Sequence, residues 1–577
     1  MPVERALDVA LRDAEVCGLA DGRCVSGRQA AAIHGGDPVV LPAGTSTNLY
    51  LRLPARSRLR FEFRAAGASL ALVAEPADAA PVVLFRSAGD AADDRWHAVE
   101  VATRLPEGTI VRLGLAVEPM APGSGGALVR RPLLAGLTPP PVPPAPPAGA
   151  RPNVLVYLVD TLRADRLGCY GYGAPTSPHI DAFAAEALRF ANAVAQSSWT
   201  RPSTASIFTG LVPPRHGAVE ADRAIRPDVA TLPELLRRAG YSTAGFVTNS
   251  VAAAPFGFAR GFDRFHYYPE TKQRSDFFLP GERLLAPVAH WLERAPRPFF
   301  LYVHVADPHS PYVPPGRFRR GLVRAAGGVT PAVLLAEQLR CPTCLHALGE
   351  QRPAPITRDT AIVLSALYDA EVARTDAAFG RLVELLRRRR LLDTTLVIFT
   401  SDHGEEFLEH GGVTHGKTLH REVLHVPLLA RLPGGTRKGR TEARVVQHAD
   451  LLPSILDVVG VDVPPGLDGE RVLRSYVGAR EVSSHLDHEG RRVMAITDDR
   501  WTFVHTLEDR DGIARPMEIF DLRADPLEAD DLAPRNVVLA AYARERLRER
   551  SAETATLGPT VDPGDLARLR ALGYVGF

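Results

Sequence analysis

A run of prolines divides this chain. Thr138-Pro-Pro-Pro-Val-Pro-Pro-Ala-Pro-Pro-Ala lacks amide hydrogens at its prolines and has little backbone freedom, so it can join neither helix nor sheet. It is expected to be an extended polyproline II spacer. Whatever stands on either side must build its own core, and 577 residues suffice for one large domain and at least one smaller one. The expected division is residues 1–137, a spacer over 138–150, and a second domain over 151–577 with a C-terminal subdomain from roughly 430 to 577.

Ahead of the spacer, after an irregular start, Leu59, Phe61 and Phe63 alternate with Arg58, Arg60, Glu62 and Arg64. That period of two belongs to a strand with one buried face. Similar runs at Ser69–Ala74, Pro81–Phe85, Trp96–Val101 and Thr109–Val117, separated by turn residues, suggest a small all-β sandwich. Such a domain serves either as a structural or docking module or as a binder of carbohydrate or lipid headgroups.

Behind the spacer the rhythm changes. Asn153-Val-Leu-Val-Tyr-Leu-Val is a continuous apolar run, the pattern of a strand buried on both faces. Thr231-Leu-Pro-Glu-Leu-Leu-Arg-Arg-Ala-Gly reads as a helix, with Thr231 as cap, Glu234 closing a capping box and Gly240 at the stop. Strands follow at Tyr241–Val247, Phe299–Val305 and Thr395–Thr400, with a helical pattern from about Thr357 to Arg390. This alternation predicts an α/β domain, a mainly parallel sheet flanked by helices. In such sheets ligands gather at the carboxyl ends of the strands.

Three of those ends are polar. Val159 runs into Asp160-Thr161, Val305 into Asp307-Pro-His309, and Thr400 into Ser401-Asp402-His403-Gly404-Glu405. A lone Asp after a strand is usually a helix cap, but three carboxylate and imidazole clusters in one sheet are a candidate cation site.

The sequence from Asn153 to Gly171 resembles the opening strand and metal-ligand turn of the sulfatase family, within the alkaline phosphatase superfamily. The similarity continues through Ser206-Ile-Phe-Thr-Gly, Asp307-Pro-His-Ser-Pro-Tyr, Ser401-Asp-His-Gly-Glu, His415-Gly-Lys and Val426-Pro-Leu-Leu, then Ile519-Phe-Asp-Leu-Arg-Ala-Asp-Pro and the terminal Leu572-Gly-Tyr-Val-Gly. The resemblance implies an alkaline-phosphatase-like fold for residues 151–577 and leaves 1–150 outside it. It also implies that Asp160, Asp402 and His403 bind one divalent cation, with Lys417 and His309 facing the oxygens of an ester. Oxygen ligands suit Ca, Mg or Mn, and His403 moves the preference toward Mn or Zn.

The family's nucleophile opens a Cys-or-Ser, any, Pro, Ser, Arg motif, and the matching stretch here is Thr200-Arg-Pro-Ser-Thr. Thr cannot be oxidised to the formylglycine on which sulfatases rely. Thr204 replaces the motif's Arg, Thr161 stands where many relatives have a second Asp, and His403 where many have Asn. The family's Gly-Lys-Trp-His stretch is here Val247-Thr-Asn-Ser. An Asp, Thr, Asp and His set around one ion is similar to the site of phosphoglycerol and phosphoethanolamine transferases, in which the Thr attacks phosphorus. The expected activity is therefore ester hydrolysis or transfer with Thr200 as nucleophile and cation ligand, on phosphoesters rather than sulfate esters. Lys417 would neutralise non-bridging oxygens, and His309 or His415 would protonate the leaving group. The alternatives are a true sulfuric ester hydrolase and a non-catalytic glycan- or envelope-binding protein.

Other readings compete at single positions. Thr200 also suits a helix N-cap, and His415 also suits a hydrogen-bonding role that orients the site. Arg163 and Asp165 are expected to buttress the first turn, and Tyr368–Asp376 to be scaffold. Cys341-Pro-Thr-Cys344 with His346 nearby fits half a zinc site, a redox pair or a local disulfide. A formal charge of +1 gives no sign of nucleic acid as partner. The expected partner is a phosphate or sulfate ester, carried by a glycan or a lipid headgroup. No run of about 18 apolar residues that could span a membrane occurs, and Met1–Asp21 lacks the apolar core of a secretory signal. That leaves a cytoplasmic protein or a start further upstream; the resemblance implies the periplasm or the exterior.

Overall fold

Asn153–Val159 is buried at every one of its seven positions, as are Phe299–Val305 and Thr395–Ser401. Such strands need apolar cover on both faces. In the first of them Val154, Val156 and Leu158 face one core while Leu155, Tyr157 and Val159 face another. Each fully buried aliphatic side chain contributes about 1.5–3 kcal/mol, so these strands fix the middle of a three-layer arrangement.

Contacts divide the chain into two units, Met1–Pro144 and Ala145–Phe577. The computed structural model describes eleven strands and Ser87 of the first unit, and residues 151–268, 279–474, 480–535 and 556–571, with 543, 547 and 550, of the second.

The eleven strands are β1 (Val3–Ala6), β2 (Glu15–Gly18), β3 (Cys24–Ser26), β4 (Val39–Leu41), β5 (Thr45–Arg52), β6 (Arg58–Ala65), β7 (Ala68–Pro76), β8 (Val82–Arg86), β9 (His97–Ala102), β10 (Ile110–Pro119) and β11 (Ala127–Leu137). All their described pairings are antiparallel. One sheet runs β1-β11-β6-β9 with β4 also on β11, and the other β3-β2-β5-β10-β7-β8. Leu59, Phe61 and Phe63 are buried as their alternation predicts, and Phe85 of the second sheet meets the rings of Phe61 and Phe63. The irregular start is corrected: β1 to β4 lie there, each too short for a period of two to register. The proline-rich 138–150 falls outside the described residues, as does the terminal Leu572-Gly-Tyr-Val-Gly motif.

The second unit is an alkaline-phosphatase-like α/β fold. Its main sheet uses β12 (Asn153–Val159), β13 (Leu188–Val194), β14 (Ser242–Val247), β15 (Arg264–Tyr267), β16 (Phe299–Val305), β17 (Thr395–Ser401), β20 (His425–Arg431) and β21 (Thr441–Gln447), in the order β15-β14-β16-β12-β17-β20-β13-β21. Its pairs are parallel except those β20 makes with β17 and β13. The pair β18 (Glu406–Phe407) and β19 (Val413–Thr414) follows β17. A four-stranded antiparallel sheet, β22 (Val482–His488), β23 (Arg491–Thr497), β24 (Trp501–Glu508) and β25 (Glu518–Asp521), closes the order. The main sheet thus reaches Gln447, past the expected boundary near 430.

Helices Thr200–Thr209 and Leu451–Val459 pack on one face of the main sheet, and Arg358–Arg388 on the other. The capping box of Leu232–Arg238 is present, with Thr231 and Glu234 exchanging bonds.

Candidate active site

Four adjacent strands, β14, β16, β12 and β17, release their chains at one edge of the sheet. The amide of Asp160 donates to Val305 O at 3.0 Å and that of Asp402 to Val159 O at 3.2 Å, so both carboxylates start from fixed backbone. Thr161 takes the left-handed region at φ 55°, a strained conformation for a β-branched residue. Its amide donates to Asp402 Oδ1 at 3.1 Å and its carbonyl accepts from the Tyr368 hydroxyl at 2.7 Å. Gly404 admits no side chain: a Cβ there would stand 2.0 Å from Glu422 O.

Thr200, 3% exposed, opens its helix. The cap position belongs to Trp199, whose backbone is extended, so the N-cap reading of Thr200 is corrected. Its Oγ1 lies 3.3 Å from His403 Nε2 and 3.5 Å from Asn249 Nδ2. His403 Nε2 is in turn 3.6 Å from Asp160 Oδ1 and 3.7 Å from Asp402 Oδ2, and Asn249 Nδ2 donates to Asp160 Oδ2. The structure therefore brings Asp160, Thr200, Asp402 and His403 together. Ser203, one turn on, donates to Asp402 O at 2.5 Å.

Burial dominates the electrostatics. It pushes Asp402 up to about 7 and, with repulsion from Asp402 next, holds Asp160 well above the carboxylate range. It takes His403 down to about 4, a neutral ring. Among the described residues, Asp160 Oδ1, Asp402 Oδ2 and His304 Nε2 are buried without a hydrogen-bond partner, and Asp160, His304 and Asp402 offer ligand atoms within 4.8 Å of one another. Unpartnered ligand atoms of this kind at a buried carboxylate pair are what a divalent cation would satisfy.

Sequence reasoning missed His304 and Asn249. His304 occupies one position of the otherwise apolar Phe299–Val305 strand, a signal readable as a core histidine; Tyr302 bonds its Nδ1 at 3.2 Å. Asn249 sits in the Val247-Thr-Asn-Ser stretch, which stands out in the sequence only for lacking the family's Lys and His. Asp307 turns away from the site to accept from Gly281 N at 2.6 Å, so of the Asp307-Pro-His309 segment His309 is the residue that reaches it.

His309 and His415 stand beside the carboxylate cluster, the His415 ring 4.4 Å from that of His403 and 4.9 Å from that of His309. His309 Nδ1 donates to Ser310 O at 2.6 Å, and His415 Nδ1 lies 2.8 Å from Glu405 Oε1. Burial also holds His309 down to about 4 and His415 well below the usual histidine range. Lys417 is buried, and burial lowers its pKa; Nζ donates to Thr414 Oγ1 at 2.6 Å and lies 3.7 Å from Glu350 Oε1. Arg163 bridges Asp165 at 2.7 Å and Glu409 at 2.6 Å, the expected buttress. Cys341 and Cys344 form a disulfide.

A buried carboxylate pair, a hydroxyl at a helix N-terminus and a cluster of imidazoles at the carboxyl edge of this sheet define a hydrolase site of the alkaline phosphatase superfamily. The family model described as Sulfatase matches residues 152–461, and one described as N-sulphoglucosamine sulphohydrolase, C-terminal, matches 409–553. The chain belongs to the sulfatase family. It is 23% identical to the N-acetylglucosamine-6-O-sulfatase of Bacteroides thetaiotaomicron over 69% of this chain and 84% of that protein, and 25% identical to the choline-sulfatase of Rhizobium meliloti over 66% and 82%. Among solved structures, the phosphonate monoester hydrolase of Agrobacterium radiobacter aligns with a TM-score of 0.57 at 23% identity, covering 70% of this chain and 96% of that one. A protein in complex with its substrate D-glucosamine-2-N,6-O-disulfate aligns with a TM-score of 0.56 at 21% identity, covering 70% and 98%. Enzymes of the family generally use a divalent metal ion, and the chain is a sulfatase-family hydrolase rather than a non-catalytic binder.

Proposed function

We propose that this hydrolase cleaves or transfers a phosphoester with Thr200 as nucleophile. The observation that carries the reading is the Thr200 hydroxyl at the start of its helix, 3.3 Å from His403 Nε2 and beside the Asp160 and Asp402 carboxylates. A threonine cannot be converted to an aldehyde, so it must act as the hydroxyl it is.

Asp160, Asp402 and His403, with His304 beneath them, would hold the divalent cation. Bound there, the cation would lower the pKa of a nearby hydroxyl and offset the negative charge of the ester. Thr200 gives its proton to the neighbouring Asp402 carboxylate, and its oxygen bonds to phosphorus as the ester oxygen departs. Lys417 balances the non-bridging oxygens and is the acid for the leaving oxygen. Water or an alcohol then attacks the phospho-threonine and gives its proton to Lys417, while Thr200 departs with the proton held on Asp402. The amides at the start of the helix assist, since they favour an anion.

The names of the relatives favour a second reading, a sulfate ester as substrate. Paired aryl phosphate, phosphonate, phosphodiester and sulfate substrates assayed with wild type and Thr200→Ala separate the two. The first reading expects phosphorus esters to be preferred and their turnover to fall at least ~10³-fold in the variant; sulfate turnover that survives the substitution defeats it. Residues 1–137 are proposed as a separate docking domain, and an extracytoplasmic setting is proposed with it.

A further inference from the structure

His309, His346 and His415 come from three separate parts of the chain, yet each offers a ligand nitrogen within 4.8 Å of the others. His309 follows β16, and His415 follows β19. His346 lies in the short helix Cys344–Gly349. That helix is fixed at both ends: the disulfide ties Cys344 to Cys341 at the end of helix Pro331–Arg340, and Gly349 packs so closely that a Cβ would stand 2.4 Å from Val413 O. The rings meet at centroid distances of 5.4 Å (His309 to His346), 4.8 Å (His346 to His415) and 4.9 Å (His309 to His415).

We propose that these three histidines form a second metal site, for zinc or another borderline divalent ion, distinct in its ligands from the Asp160–Asp402–His403 cluster. Two of the rings are held through Nδ1 as metal-binding imidazoles often are: His309 Nδ1–H is donated to Ser310 O, and His415 Nδ1 is paired with Glu405 Oε1. Glu405 is itself held through Oε2 by the Tyr312 hydroxyl at 2.8 Å, completing a carboxylate–imidazole pair of the kind that sets a ligand's tautomer. Rings gathered only to fill space have no need of this orientation. All three are half-buried, which gives an ion a way in and leaves a fourth position for water or an ester oxygen. Lys417 beside them is offset by Glu350 and Glu405.

The inference stands apart from the role given to Thr200, and the test keeps the two separate. The air-oxidised chain is stripped with EDTA, titrated with zinc, desalted, and its bound zinc measured by mass spectrometry; cobalt titration adds the visible spectrum of a nitrogen-rich site. Wild type is expected to bind two equivalents, the first cluster variant Asp160→Asn/Asp402→Asn one, and His346→Gln one. The cobalt bands that persist in the aspartate variant should be the ones lost from His346→Gln. His309→Gln serves as a second lesion of the same site, and melting in EDTA verifies that each variant folds. The proposal is overturned if His346→Gln and His309→Gln bind as much zinc as wild type, or if wild type binds a single equivalent that the aspartate variant abolishes; the latter result would leave the Thr200 reading intact. A single equivalent lost only with the histidines would uphold this site and count against the cation cluster at Asp160.

Discussion

His304 offers a ligand nitrogen within 4.8 Å of ligand oxygens from two buried carboxylates. At the scale of single residues it separates what the sequence displays from what it conceals. Asp160, Asp402 and His403 were legible because each stands directly after a buried strand, where chain geometry sends polar groups toward one edge. Thr200 was legible as a departure from a motif. His304 was not, because one imidazole among six apolar neighbours reads as a core residue until the sheet register places it opposite Leu158, two residues from Asp160. Asn249 was hidden for a related reason, since only folding brings it to Asp160 and Thr200. His304→Gln is expected to weaken zinc or manganese binding at the aspartate cluster by about 10–100-fold without unfolding the chain. Competition against a chromophoric chelator, with the melting temperature followed in parallel, checks this.

Among elements, the long helix Arg358–Arg388 bears on the site without entering it. Its Tyr368 hydroxyl donates to Thr161 O and accepts from Arg163 N at 3.0 Å, both in the turn that carries Asp160. Its Asp376 accepts from the amides of His179 and Ile180 at the start of another helix. The sequence reading of Tyr368–Asp376 as scaffold agrees with these bonds. Helical periodicity marks which face is buried but not which hydroxyl reaches a carbonyl in another element. Tyr368→Phe leaves Thr161 O and Arg163 N unsatisfied in a buried place and is expected to cost about 1–3 kcal/mol. Urea unfolding measures that loss; an unchanged midpoint would mean the strained turn is held by other contacts. Four of the eight strands of the main sheet, β12, β14, β16 and β17, were read nearly to their ends because their runs are apolar, whereas β13, β15, β20 and β21 were not read as strands, and β1 to β4, three or four residues each, carry too little pattern.

At the level of the molecule, the two units were announced by the proline run, and the fold of the second by the order of its motifs. Long-range ties were not. His410, after β18, bonds Glu422 through Nδ1 and the carbonyl of Glu528 through Nε2, each at 2.8 Å, joining the active-site edge to the segment beyond β25. Burial pulls its pKa down, but the hydrogen bond and charge of Glu422 prevail and raise it to about 9. Unfolded, the ring titrates near ~6.5. Between those values the folded chain holds a proton that the unfolded chain has lost, so stability from this group is full below about 6.5 and disappears as pH rises through about 9. His410→Gln is expected to remove that share of the alkaline decline; unfolding midpoints of both proteins across the interval compare the slopes, and parallel slopes would count against it.

As the nucleophile, Thr200 takes up the group transferred from the ester. Incubating metal-loaded enzyme with excess aryl phosphate or phosphonate ester, quenching in acid and sequencing peptides by mass spectrometry tests it directly. The account predicts one phosphoryl or phosphonyl group on Thr200, absent in Thr200→Ala. Full turnover with Thr200 unmodified, or transfer to a different side chain, would contradict it.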